Sequence, residues 1–183
     1  NYAAIRMSDI ADPQKIAISK IYAVNKKPIA LTFDDGYADA YSAALPILQK
    51  YQMTATFYII RDYVGRPEYM NQSQIDKLAA DGMEIGSHTL SHPSLEKLSE
   101  ANQRTQIFDS KDNANSFCYP SGKYNDTTIS LVKEAGYTTA VTTNIGIAKE
   151  TSDLLKLPRV RVEDGSAQTL LDKISYAFEH GNN

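Results

Sequence analysis

Cysteine and tryptophan are nearly missing from this chain of 183 residues, which has one cysteine, Cys118, and no tryptophan. A single cysteine excludes an internal disulfide and any zinc site built from several thiolates. It does not fix the compartment, because a secreted bacterial protein with an adequate core also needs no disulfide. The twelve tyrosines are compatible with a carbohydrate-contact surface, although ordinary packing at the edge of the core explains most tyrosines.

Long runs of basic or apolar residues are also missing. No basic run exceeds two residues and the net charge is -3, so we expect no nucleic-acid partner. No apolar run approaches the ~20 residues that span a bilayer, so we expect no membrane-spanning segment. The hydrophobic share of 42% is typical of a globular protein, and the length suits one domain with a sizeable core.

Strand-like and helix-like segments alternate from Pro28 onward. The strand-like runs are PIALTF, TATFYII, MEIGSH, NSFCYP, YTTAVTT and KLPRVRV. The helix-like segments are YADAYSAALPILQKYQ, in which Pro46 predicts a kink or break, SQIDKLAADG, SLEKLSEANQRTQIF, NDTTISLVKEAG and SAQTLLDKISYAFEH. This alternation predicts parallel strands with right-handed crossovers, in an α/β sheet or in a barrel with fewer strands than the eight of a closed one. Residues 1–27 are predicted to form an irregular or partly helical lead-in, and residues 28–183 a single domain.

Polar residues follow three of the predicted strands at the point where each strand ends. Asp34 and Asp35 follow PIALTF, His88 and His92 lie in and after MEIGSH, and YPSGKYN begins within NSFCYP. Because the carboxyl ends of parallel strands share one edge of the sheet, these three loops should open on the same rim.

The paired aspartates and paired histidines together indicate a metal site. Two of the three histidines lie four residues apart, and one carboxylate would complete a three-ligand set of the kind that catalytic zinc uses. If one aspartate binds a divalent cation, its neighbour remains ionised beside it and can act as a general base. Two plainer alternatives are an Asx turn at Asp34–Asp35 and loop hydrogen bonds from the histidines.

The motifs TFDDG, HTLSHP and FCYPSGKYN resemble those of the polysaccharide deacetylase family, carbohydrate esterase family 4, which contains the nodulation-type (NodB homology) deacetylases. The resemblance extends from about Pro28 to Val162. It implies a distorted, incomplete (β/α) barrel of about six to seven parallel strands. It also implies a metal-dependent hydrolase that removes N-acetyl, or in some members O-acetyl, groups from a polysaccharide.

The resemblance also implies a role for individual residues. Asp34 matches the general base that deprotonates the water attacking the acetyl carbonyl, and Asp35, His88 and His92 match the metal ligands. Ser121 occupies the position whose backbone N–H donates to the oxyanion, a role that does not depend on the side chain. The implied cofactor is a divalent metal, zinc first, with Co2+, Ni2+ or Mn2+ as alternatives.

The chain departs from the family pattern at two places. Cys118 stands where many members have an arginine that orients the catalytic aspartate. LPRVRV resembles a segment of the branch related to poly-N-acetylglucosamine deacetylases, so we expect Arg159 to reach Asp34 instead; ordinary surface pairing of Arg159 and Arg161 is the alternative. No Leu-x-His strand of the last family motif is present, and we do not expect His180 to serve as the general acid.

The resemblance further implies an acetylated polysaccharide or oligosaccharide as substrate. It implies an extracellular or cell-surface location in a bacterium, with any leader or anchor absent from this chain. The short interval between RTQIF and NSFCYP predicts an open barrel edge that would favour a homodimer. Two other functions stay open: a catalytically impaired carbohydrate-binding relative that keeps the metal, and an Fe(II) oxygenase with two histidines and one carboxylate.

Overall fold

A computed structural model of the chain describes residues 2–12, 27–163 and 165–180. Its centre is a six-stranded sheet in which every neighbouring pair is parallel and the strands follow one another in chain order. The strands are β3 (Thr32–Phe33), β4 (Thr56–Ile59), β5 (Glu84–Ser87), β6 (Ser116–Cys118), β7 (Thr139–Ile145) and β8 (Leu157–Arg159). The sheet is curled into a half-barrel, which confirms the predicted incomplete (β/α) barrel of about six to seven parallel strands.

Helices follow strands as the alternation predicts. They are α1 (Leu45–Lys50), α2 (Gln72–Ala80), α3 (Glu100–Phe108), α4 (Asp126–Glu134) and α5 (Ala167–His180). A π-helical turn, Ala40–Ala44, precedes α1, and Pro46 lies in the first turn of α1, where its missing N–H costs no hydrogen bond. The single helix predicted for SLEKLSEANQRTQIF is wrong: a 3₁₀ turn, Leu95–Lys97, is separated from α3 by the N-cap Ser99, whose side chain accepts from Asn102 N–H.

The two faces of the sheet have separate cores. On the outer face α1 and α2 pack against β4, with buried residues such as Leu48, Phe57 and Leu78. α3 and α4 pack on β6 in the same way, around Phe117. Inside the curl, buried residues from four strands meet a methionine from the N-terminal segment: Met7, Tyr58, Cys118, Val141 and Leu157.

The described part of the N-terminal segment packs on the domain. Strand β1 (Tyr2–Ile5) pairs in parallel with β2 (Lys27–Ala30), and the 3₁₀ turn Met7–Ala11 follows β1. Met7 N–H donates to Thr56 Oγ1 at 3.0 Å. The predicted irregular lead-in is therefore wrong for β1. Residues 13–26 of that prediction lie outside the described residues, and the domain boundary after residue 27 stays a prediction.

No helix in the described ranges is both long enough and apolar enough to cross a bilayer.

The predicted homodimer stays a prediction.

Gly86 allows β5 to lie close to the side chains of its two neighbouring strands. A Cβ added there would lie 2.5 Å from the Tyr58 ring and 2.9 Å from Ser116 Oγ, and both of these side chains are fully buried. We therefore expect Gly86→Ala to destabilise the fold by about 1–3 kcal/mol through overpacking. The urea midpoint measures this effect. The cost of Gly86→Ala should be smaller in a Tyr58→Val background than in the wild type, because that background lacks the clashing ring; an unchanged midpoint for Gly86→Ala would contradict the packing argument.

Candidate active site

The two neighbouring aspartates are turned to different partners by the backbone. Asp34 follows β3 directly, and Asp35 adopts a left-handed φ of 72°. Gly36 continues the turn with a φ of 83°, and its N–H donates to the carbonyl of Asp34 at 3.0 Å. Residues other than glycine rarely adopt this left-handed conformation, because it raises the conformational energy of the backbone. Such strained residues are concentrated at functional sites.

Asp35 faces both histidines of the predicted ligand set. Its Oδ1 lies 3.3 Å from His88 Nε2 and 3.6 Å from His92 Nε2. All three ligand atoms lie within 4.8 Å of one another. The structure thus brings Asp35, His88 and His92 together, and a carboxylate with two imidazoles fits a divalent cation of the zinc class with positions left for water or substrate.

One hydrogen bond holds the His88 ring and another holds the main chain at His92. His88 is buried, and its Nδ1 donates to the carbonyl of Cys118 at 2.7 Å, which directs Nε2 toward Asp35. The backbone N–H of His92 donates to Thr89 Oγ1 at 3.0 Å. The bond at His88 fixes its tautomer and ring as in metal-ligating histidines, and the bond at His92 fixes the main chain of its loop.

The surroundings of His88 favour positive charge. Burial disfavours its protonated form, but Cys118 and the carboxylates of Asp35 and Asp34 more than offset this and raise the pKa of His88 to about 10. The pKa of His92 is lowered, by burial and then by the neighbouring His88. A divalent cation would supply the same positive charge at this point, which supports the fit of the ligand set.

A second group of ligand-type atoms, Asp34, His88 and Cys118, also lies within 4.8 Å. It suits a metal less well. His88 already donates through the nitrogen that faces Cys118, and burial raises the pKa of the Cys118 thiol, so the thiolate that a metal needs is disfavoured.

Asp34 is held by Arg159, which lies 125 residues away in β8. Arg159 Nη1 donates to Asp34 Oδ1 and Nη2 donates to Oδ2, both at 2.7 Å. The guanidinium is fixed in turn, because Nε donates to the carbonyl of Thr142 at 2.9 Å and Nη1 to Thr32 Oγ1 at 3.0 Å. The expected contact of Arg159 with Asp34 is therefore present, as a bidentate pair.

The charge on Asp34 is stabilised by these contacts. Burial favours its neutral form, but the hydrogen bonds and charge of Arg159, together with His88 and the Cys118 thiol, outweigh burial and lower the pKa of Asp34. The thiol Sγ lies 3.6 Å from Asp34 Oδ2. Asp34 is consequently an ionised carboxylate beside the candidate metal group at neutral pH.

Ser121 lies in a tight turn that follows β6. It has a left-handed φ of 52°, and the turn is closed by Gly122 N–H donating to Tyr119 O at 2.9 Å and Lys123 N–H donating to Pro120 O at 3.0 Å. Because β6 is parallel to β3 and β5, this turn opens on the same edge as Asp34 and His88.

The structure adds one support that the local sequence pattern does not reveal. Ser91 N–H donates to Gln106 Oε1 and Gln106 Nε2 donates to Ser91 Oγ, both at 3.0 Å. This pair attaches the histidine loop to α3. Gln106 lies fifteen residues from Ser91, so no spacing rule points to it. The side chain of His180, the third histidine, lies outside the described part of the chain.

A protein-family model described as polysaccharide deacetylase matches residues 22–140, about two thirds of the chain. The chain belongs to the polysaccharide deacetylase family. This confirms the resemblance drawn from the three motifs.

Relatives and a solved structure agree with this membership. The chain is 36% identical over 149 residues to YxkH of Bacillus subtilis, a protein provisionally named a polysaccharide deacetylase. The match covers 77% of this chain and 53% of YxkH. It is 27% identical over 170 residues to the poly-beta-1,6-N-acetyl-D-glucosamine N-deacetylase of Staphylococcus aureus, covering 81% of this chain and 59% of that protein. The chain thus spans somewhat more than half the length of these relatives.

The fold matches that of a solved deacetylase over most of both chains. The deacetylase PplD of Streptococcus pyogenes, solved in complex with acetate, superposes with a TM-score of 0.81 at 34% identity. The match covers 94% of this chain and 80% of PplD. The half-barrel is therefore the fold of a family domain.

Proposed function

We propose that this domain hydrolyses N-acetyl groups of a polysaccharide that contains N-acetylglucosamine, releasing acetate and a free amine. One observation carries the proposal: two consecutive aspartates have separate partners on one rim, Asp35 among two imidazoles and Asp34 in the fork of Arg159. A carboxylate kept ionised but outside the ligand set is placed to act as a base. The S. pyogenes relative was solved with acetate, which is the co-product of this reaction.

Asp35, His88 and His92 would hold the metal, for which we propose zinc, with Co2+, Ni2+ or Mn2+ as alternatives. When bound, the ion would act as a Lewis acid toward water and the acetyl carbonyl.

Asp34 would accept the proton of the attacking water while Arg159 fixes both carboxylate oxygens in place. Ser121 N–H would donate to the oxygen on which negative charge develops. The acetyl carbon takes the water oxygen, its bond to nitrogen then breaks, and the nitrogen leaves as an amine with the proton that the water gave to Asp34. Asp34, Ser121 and Arg159 are thus the proposed catalytic and positioning residues.

Arg159 weakens the case for a relative that only binds carbohydrate. That alternative depended partly on Cys118 replacing an arginine, yet Arg159 supplies a guanidinium to Asp34 from another strand, with Nη2 3.5 Å from the Cys118 sulfur. The Fe(II) oxygenase alternative loses its basis, since the chain is an α/β half-barrel of the deacetylase family.

The relative from S. aureus is named for a poly-β-1,6-linked substrate, and this supports an extracellular glycan as the substrate. An extracellular or cell-surface location follows from that choice of substrate and is part of the proposal.

Acetate release under control of the metal tests the proposal. We expect the purified chain loaded with Zn2+ to release acetate from oligomers of β-1,4-linked or β-1,6-linked N-acetylglucosamine, with one new amine for each acetate. Removal of the metal with a chelator should lower the rate at least about a hundredfold, and added Zn2+ should restore it. Peptidoglycan and acetylated xylan complete the substrate panel. Acetate release that is unaffected by chelation would contradict the proposal, as would a zinc-loaded protein that releases none from any member of the panel.

A further inference from the structure

Two loops at the rim are joined by backbone bonds next to the candidate metal group. Tyr37, in the loop after β3, forms an antiparallel bridge with Tyr69, in the loop after β4. Ala38 N–H donates to Glu68 O at 2.8 Å, and Met70 N–H donates to Gly36 O at 2.9 Å. The position of Tyr37 is thus fixed by backbone bonds on both sides of it.

Three tyrosine rings meet at this junction, and we call Tyr37, Tyr63 and Tyr69 the tyrosine platform. The rings of Tyr37 and Tyr69 are stacked with centroids 4.8 Å apart and an interplanar angle of 22°. Tyr63 meets Tyr69 edge-on at 4.9 Å, and the guanidinium of Arg66 lies over the Tyr63 ring at 4.4 Å. Each ring is therefore held by a neighbour, which reduces the entropy lost when a ligand binds.

The outer ring of the platform is open to solvent. Tyr37 is 40% exposed although one face of its ring stacks on Tyr69. Rigid aromatic side chains that leave one side open are a common lining of binding sites.

The platform lies beside the candidate active site. Tyr37 is two residues from Asp35, and the negative charge of Asp35 contributes to the raised pKa of Tyr69, about 12, whose first cause is the hydrogen bond with Tyr37. A polymer bound with one acetyl group at Asp34 and Asp35 would therefore extend over or past this ring.

We propose that the exposed face of Tyr37 binds the apolar face of a sugar ring adjacent to the residue being deacetylated. This subsite rests on the proposed function and names where a neighbouring unit of the polysaccharide lies. The flat C–H face of a β-linked N-acetylglucosamine unit matches an aromatic ring in size and polarity, while the tyrosine hydroxyl can bond to its substituents. Tyr63 and Tyr69 are positioning residues that hold Tyr37 at a fixed height above the rim.

The alternative is that the tyrosines only join the two loops. Main-chain hydrogen bonds already join these loops, so this role does not explain the exposed ring of Tyr37. The bridge and the flanking bonds between residues 36–38 and 68–70 use main-chain atoms only. A purely structural role also predicts no dependence on the length of the bound glycan. These two differences make the proposal testable.

A tryptophan reporter gives a direct test because the chain has none of its own. In Tyr37→Trp, the zinc-loaded protein should change its tryptophan emission on titration with a β-linked N-acetylglucosamine tetramer. Tyr51→Trp is the matched control: Tyr51 is 63% exposed at the end of α1, and its emission should not respond. Equal, non-saturating responses of both variants would overturn the proposal, as would no response of Tyr37→Trp to either a β-1,4-linked or a β-1,6-linked tetramer.

Substitutions of Tyr37 separate the subsite from the reaction. We expect Tyr37→Ala to weaken tetramer binding about tenfold, measured by calorimetry on the zinc-loaded protein, and Tyr37→Phe to retain most of the affinity. For turnover, the loss in Tyr37→Ala should lie in KM for tetramers, with kcat within about twofold. If Tyr37→Ala lowered both kcat and the melting temperature while the affinity for the tetramer stayed unchanged, Tyr37 would have a structural role in the fold instead. Binding without any acetate release would leave the subsite standing and reject the proposed function, so the two failures are distinguishable.

Discussion

Asp34→Asn should lower kcat for acetate release at least about a hundredfold while the protein still binds zinc in a one-to-one ratio. The amide has nearly the shape of the carboxylate but cannot accept a proton from water. Asp34 is outside the group formed by Asp35, His88 and His92, so its loss should not remove a ligand. Steady-state kinetics and metal analysis of the same preparation measure both effects.

Asp39→Asn is the matched control for this substitution. Asp39 is an exposed carboxylate five residues further along, and its change removes the same charge. We expect it to keep wild-type kcat. If Asp34→Asn retained normal turnover, Asp34 would not be the base; if it lost zinc together with turnover, Asp34 would belong to the metal group and the division of roles between the aspartates would be wrong.

The convergence of the site could be predicted from the sequence because it follows from topology. Apolar runs such as PIALTF and TATFYII alternate with helical segments, and that alternation forces parallel strands. Parallel strands bring the ends of β3, β5 and β6 to one edge. Aspartates, histidines and the Ser121 turn placed at those ends therefore lie on one rim of the sheet.

Backbone conformation within the site could be predicted only in part. The Asp-Gly pair indicates a turn, but it does not say that Asp35 itself adopts a φ of 72° and faces both histidines. Similar left-handed values occur at Thr89 and His92. These angles are imposed by surrounding contacts, such as the bond from His92 N–H to Thr89 Oγ1, and local sequence preference would oppose them.

Contacts between distant loops left no pattern in the sequence. Tyr37 and Tyr69 lie in separate loops without periodic spacing, and the stack between them depends on how β3 and β4 are placed. The strand Tyr2–Ile5 was missed for a related reason: four residues pairing with one other short strand have too little alternation to identify. Where a feature depends on tertiary neighbours, composition and spacing along the chain do not determine it.

Arg159→Ala should lower kcat about a hundredfold, equivalent to about 2.7 kcal/mol of barrier, with zinc binding retained. Removal of the guanidinium leaves Asp34 with neither of its two bonds of 2.7 Å and free to turn from the position needed for proton transfer. Arg159→Lys should recover little of this, because one ammonium cannot reproduce the fork that engages both carboxylate oxygens. The matched control is Arg161→Ala, whose side chain is 83% exposed and lies 3.9 Å from Glu163; it should keep wild-type kcat.

Moving the arginine to a second position tests whether the guanidinium must come from residue 159. Cys118 Sγ lies 3.5 Å from Arg159 Nη2 and 3.6 Å from Asp34 Oδ2, so an arginine introduced at 118 starts beside the same carboxylate. In the double variant Arg159→Ala/Cys118→Arg, we expect kcat to rise at least about tenfold above that of Arg159→Ala alone, because Asp34 regains a bidentate partner. Full activity of Arg159→Ala would show that Asp34 needs no orienting charge. A folded double variant with no gain in kcat would show that the fork must approach Asp34 from β8, where Thr142 and Thr32 hold it in place.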